Sequence, residues 1–250
     1  MHNILIVSAL STELNIVKSK IKKLDFKNIK TSFLSTWIWN YNMILSLTKF
    51  LKENNNIDLI INIWVCGYKN DYKKSIQVWR IKNLSNNREL IVPNIIDFSD
   101  LESIASSEKI IFDSSELLDE NFVDMESYWF EMVCNNFGIP RIILKVPVDK
   151  IWIETKNFDI KKAKQSLKEN LNYELLFDKI KKYLYSLVDN NIWKKIKEKI
   201  LSHFTFSFSE KIILEKLVNR FIVLEIWNMD LFFEENKDLN KKEFLKKLWK

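Results

Sequence analysis

Between residues 123 and 149 the chain reads VDMESYWFEMVCNNFGIPRIILKVPVD. Asp124, Met125 and Glu126 close one short apolar run, and Asp149 closes a second. If both runs are strands of an α/β sheet, their carboxyl ends border the ligand crevice of that fold class. Two carboxyl groups delivered there together are candidates for acid chemistry, as distinct from the other charges among 33 Asp and Glu.

The intervening residues say how such groups are held. Ser127 can cap a helix, and Phe130, Val133, Cys134 and Phe137 recur at helical spacing. Gly138 stands where a helix end takes a left-handed residue, and Pro140 follows two positions later. Residues 142–146, IILKV, read as a short strand of the kind buried in a mostly parallel sheet. Upstream, residues 4–7 and 59–65 read as strands, and residues 33–35 as a strand end. Residues 77–80, 90–95 and 109–112 add further short strands. Helices are expected from residue 11 or 12 and over 43–51, with a turn or short helix over 113–118. This alternation predicts an α/β fold: a three-layer domain whose central mixed, mostly parallel sheet is flanked by helices. After residue 157 strand signals stop. Apolar residues recur at helical spacing over 163–171, 173–188, 192–203, 210–229 and 241–249, a helical C-terminal extension. The expected domains are 1–157 and 158–250.

Composition narrows the function. The net charge of +6 is spread along the chain and its lysine clusters fall on helix faces, with no nucleic-acid module, so no nucleic-acid partner is expected. No apolar run reaches the roughly 18 residues of a membrane span, and the first residues read as a strand, not a signal peptide. Cys66 and Cys134 lie in apolar runs, which speaks against a disulfide framework and for a cytoplasmic protein. With His2 and His203 the only histidines, a histidine-based metal site is not expected, and no cofactor is implied. One feature is abnormal. The chain has 2 Gly and 9 Trp, where average usage gives roughly 17 Gly.

Three segments, in order, resemble one family: ILIVSALSTEL at the start, LIINIWVCG in the middle, and VDMES, FGIP and VPVD towards residue 149. Residues 3–155 resemble the purine nucleoside phosphorylase and nucleosidase superfamily, most closely the methylthioadenosine/S-adenosylhomocysteine nucleosidases. The resemblance implies hydrolysis of the N-glycosidic bond of a purine nucleoside, a small-molecule nucleoside substrate and a homo-oligomer, a dimer. It implies that Asp149 is the acid that protonates the leaving base, a role needing its pKa raised by burial. It makes Glu126 the acceptor for the ribose hydroxyls, Met125 a packing surface for the sugar, and Glu13 the general base that activates water. Where the family has glycine, this chain has Trp37, Trp39 and Trp64. Trp79, Trp129 and Trp152 also stand where glycine would be accepted easily. These positions suggest that UGA codons specify glycine in the source and are written here as Trp. The chain departs from the family at Val148, where a small hydroxyl residue usually precedes the acid, at Val65, and in a shortened stretch over 95–109. Arg80 is the first arginine, so a phosphate site in the early loops is not expected and hydrolysis fits better than phosphorolysis. A phosphorylase and a catalytically degenerate nucleoside-binding or scaffold protein are the alternatives.

Overall fold

A computed structural model describes residues 2–22, 24, 29–37, 40–72, 74–151, 158–187, 190–223 and 229–249. Contacts divide the chain into two compact units, Met1–Leu184 and Tyr185–Lys250. The sequence changes character near residue 157, but α4 (Ile160–Glu169) and α5 (Tyr173–Ser186) belong to the first unit.

The first unit holds an eight-stranded mixed sheet. Strands β1 (His2–Ser8), β2 (Ile29–Ser35) and β3 (Leu59–Tyr68) are parallel neighbours, with β1 in the middle. Then come β4 (Ile76–Asn83), β5 (Glu89–Ile91), β6 (Asp100–Ser106), β7 (Phe122–Asp124) and β8 (Arg141–Lys150). Strand β3 pairs with β8, β8 with β4, β4 with β6, β6 with β7, and β7 again with β3. Those five strands close a ring, and β1, β2 and β5 extend it. Side chains alternate across each strand. On β1, Leu5 and Val7 join a core with Met43 and Leu47 of α2 (Asn40–Glu53) and Phe130 and Cys134 of α3 (Ser127–Phe137). Ile4 and Ile6 are as fully buried and alternate with them. Helix α1 (Ser11–Ile21) packs on β1 and β2 and against α4, which also meets β8. This is the helix–sheet–helix arrangement expected.

The local grammar of α3 holds in part. Gly138 ends it in the left-handed conformation, φ 66°. Ser127 does not cap it: the capping position is Glu126, and the Asp124 carboxylate accepts the Ser127 N–H at 3.2 Å. Two strand expectations change. Residues 109–112 form a loop, because no neighbouring strand pairs with them, and 100–106 form β6, which lines up in parallel with β4.

The second unit contains α6 (Asn190–His203), α7 (Phe208–Val223), α8 (Met229–Asn236) and α9 (Lys241–Trp249) around one apolar cluster, including Ile200, Leu214, Phe233 and Phe244. Of the helix expected over 210–229, residues 210–223 lie in α7 and Met229 begins α8, while 224–228 lie outside the described residues. Among the described residues no helix is long and apolar enough to cross a membrane.

Candidate active site

Gly67, near the end of β3, is flanked on both sides. It is opposite Val123 of β7 on one side and Asp149 of β8 on the other. The β3–β8 register shifts between Cys66 and Gly67, so Val148 is an extra residue in the ladder. Bulges of this kind re-aim a side chain. Here the shift sets Asp149 beside Gly67, whose missing side chain leaves room for Val123 on the other side. A Cβ on Gly67 would meet Val123 Cγ1 at 3.2 Å and Asp149 Oδ2 at 3.6 Å.

The second carboxylate comes from the β7–α3 junction. Phe122 and Val123 are buried, so the chain leaves the ring at Asp124 and turns into α3 through Met125 and Glu126. Glu126 is 5% exposed. A third comes from α1. Glu13 is in the first turn, where its Oε2 accepts the Leu10 N–H at 3.0 Å.

These pieces meet at one cavity of about 290 Å³. Glu13, Met125, Glu126 and Asp149 all line it, so four residues from three separate segments share one space. Trp64, Cys66 and Gly67 complete the β3 side. Lys109, Ile110 and Ile111 of the loop after β6, with Phe158, complete another. That loop was read as a strand, so its part in the wall was not visible in the sequence. Burial pushes the Glu13 carboxyl up to about 7; hydrogen bonds from the Leu10 and Val65 backbone and the charge of Lys145 limit the rise. A carboxyl titrating there can hold or release a proton near neutral pH.

Lys145 is the residue sequence reasoning missed. It is fully buried in β8, in the middle of IILKV. Its Nζ is 2.7 Å from Asp124 Oδ2 and donates to Asn62 Oδ1 at 2.9 Å. It also lies 3.7 Å from the centre of the Trp64 ring. Desolvation pulls its pKa down, and Asp124 and Glu126 oppose that. Trp64 Nε1 donates to the same Asp124 oxygen at 3.2 Å, and Ser127 Oγ to it at 2.5 Å. Asp124 thus anchors the β7–α3 junction and, with Met125 and Glu126, lines the cavity. The available signal was a lysine inside an otherwise apolar strand, since buried charges are rare unless paired.

Of the six suspect tryptophans, Trp39 and Trp152 lie outside the described residues. Trp37 has φ 65° and is 70% exposed, a left-handed backbone that favours glycine. Trp64, Trp79 and Trp129 are not among the residues with positive φ. Trp64 is buried, and Trp129 packs edge-on to Tyr128.

The fold is the one seen in solved methylthioadenosine/S-adenosylhomocysteine nucleosidase structures. The chain superposes on the methylthioadenosine/S-adenosylhomocysteine nucleosidase of Campylobacter jejuni with a TM-score of 0.59 and 17% identity, covering 72% of this chain and 99% of that one. For MTAN of Chlamydia trachomatis bound to MTA the values are 0.58 and 20%, over 72% of this chain and 100% of that one. For a futalosine hydrolase mutant of Helicobacter pylori they are 0.58 and 13%, over 73% and 100%. These structures are used almost whole, while more than a quarter of this chain lies outside each match. By sequence, the chain is 25% identical over 259 aligned positions to an ankyrin repeat protein of Acanthamoeba polyphaga mimivirus. The match takes in 93% of this chain and spans 39% of that relative's length. No protein-family profile matches the chain.

Proposed function

We propose that the sheet unit hydrolyses the N-glycosidic bond of a purine nucleoside of the methylthioadenosine or S-adenosylhomocysteine kind, giving the free base and a ribose derivative. The observation that carries this reading is the convergence of Glu13, Met125, Glu126 and Asp149 on one cavity. Departure of the base leaves positive charge on the sugar and negative charge on the purine. Asp149, in its protonated form, donates to the leaving base, and Glu126 holds the ribose hydroxyls by charge-assisted hydrogen bonds. Met125 packs against the sugar. Glu13 takes a proton from the attacking water, a task suited to a group titrating at about 7. Two carboxyl groups acting on opposite sides of the scissile bond is the general logic of glycoside hydrolysis. The protein is proposed to work as a homodimer in the cytoplasm.

Release of adenine from methylthioadenosine tests the reading. Wild-type protein should release it without added phosphate, and Asp149→Asn should lose at least about 100-fold in rate, the lower range for general acid catalysis. Release that requires phosphate would instead identify a phosphorylase. A second reading, nucleoside binding without turnover, is favoured by Val148. This residue is buried beside the acid and brings no hydroxyl to orient it. Saturable methylthioadenosine binding with no release of base would establish that reading.

A further inference from the structure

The helices after residue 159 repeat. Ala163, Leu167, Leu171 and Tyr173 are buried, and 33 positions on from each stand Ile196, Ile200, Phe204 and Phe206, all buried as well. Another 33 positions on from Ile200 is Phe233, again buried. The caps of the second helices, Asn172, Ser207 and Asn240, follow one another at 35 and 33 positions. Asn172 accepts the Leu175 N–H at the start of α5. Ser207 and Glu210 bond reciprocally at the start of α7, at 2.7 and 3.4 Å. Asn240 and Glu243, 33 positions later, do the same at the start of α9, at 3.4 and 3.1 Å.

The core positions agree when counted from those caps. In α5 the buried residues at the fourth and eighth positions after the cap are Leu176 and Ile180, and in α9 they are Phe244 and Leu248. In α7 the equivalents, Leu214 and Val218, come three positions later, so α7 has one added turn. Phe208, Ile212 and Ile213, in the first two turns of α7, are exposed. Packing within the second unit follows the same order. The first helices, α6 and α8, contact each other, and so do the second helices, α7 and α9. First-on-first and second-on-second contact is how helix-pair repeats stack, and 33 residues falls in their range.

We propose that residues 160–249 are three copies of one helix-pair repeat, α4–α5, α6–α7 and α8–α9, of which the second and third stack in register. The second unit, α6 to α9, is then an extensible scaffold whose surface grows with copy number, a role apart from the chemistry of the cavity. The residues of α9 away from the core, Lys242, Glu243, Lys246 and Lys247, are exposed and charged.

Two variants of the full chain test this. The first is a duplication of residues 207–239, one cap-to-cap period, inserted after Leu239. It should add helical ellipticity and leave the urea midpoint of the C-terminal unit unchanged or higher, because a repeat stack takes a further copy. The second is Phe233→Ala, read by peptide-resolved hydrogen exchange. Protection should fall at least about tenfold across α6 to α9, since each copy rests on its neighbour. An insertion that lowers the midpoint or removes protection from α6 to α9 would overturn the proposal. So would Phe233→Ala leaving α6 at its wild-type exchange rate.

Discussion

The Glu13 carboxyl is buried and titrates at about 7, where the free side chain titrates at 4.5. Below pH 4.5 both folded and unfolded chains hold the proton, and nothing is lost. Between 4.5 and 7 the folded chain keeps a proton that the unfolded chain has released, so stability falls as pH rises through that window. Above it, the charged form costs the fold up to about 3 kcal/mol. Glu13→Gln is therefore expected to be more stable than wild type at pH 8 by up to about 3 kcal/mol, and no more stable at pH 4, in urea titrations. If Glu13 is the base, base release by the wild type rises with pH through about 7, and the glutamine variant lacks that rise. Lys145→Met should act in the other direction. It leaves Asp124 buried without its cation, at a cost of roughly 3–5 kcal/mol in the same titrations. Trp37→Gly should gain about 1 kcal/mol by relieving a left-handed backbone. In protein from the natural source, the mass of the peptide containing residue 37 decides directly between Trp and Gly. Most of the site residues were legible because their types are unusual in their places: Asp124, Met125 and Glu126 after one strand, Asp149 within another. Lys145 was passed over because a lone lysine in a run of Ile, Leu and Val does not show its partner. Asn62 and Asp124, which hold it, are distant in sequence.

At the scale of elements, the meeting of β3, β7 and β8 at Gly67 decides where Asp149 stands. Gly67→Ala places a methyl group 3.2 Å from Val123 Cγ1 and beside the Asp149 carboxylate. Overpacking of this kind costs about 1–3 kcal/mol. The expected outcome is a lowered melting temperature together with slower base release, while Gly138→Ala, with no atom within 4 Å to meet, lowers stability only. Helix α3 and its stop were legible from Gly138 and Pro140, since backbone conformation there is set locally. Strand β6 was not: DLESIAS has little of the β-branched and aromatic character of a strand. It is extended because β4 and β7 pair with it from either side. The reverse holds for 109–112, which read as a strand but form a loop from which Ile110 and Ile111 line the cavity.

Over the whole molecule, alternating strands and helices made the layered α/β architecture legible, and the loss of strand signal marked the helical region. The closing of five strands into a ring was not legible, because it depends on pairings between distant segments. The division at Leu184 was hidden for a similar reason: α4 and α5 have the composition of the helices that follow them but make their contacts in the sheet unit. Two compact units should lose structure in two steps. Segment-resolved hydrogen exchange in rising urea is expected to separate α6 to α9 from β1 to β8, and a single shared midpoint would count against it. The ring has one more effect, on how the protein meets copies of itself. Among the described residues β1 lies between β2 and β3 and the strand order ends at β2 and β5, while the ring closes through two-residue pairings of β7 with β3 and β6 and of β8 with β4. Strand β5 is three residues long, too short to template a neighbour, so of the two ends the seven-residue β2 is the one that offers a template for strand-by-strand aggregation.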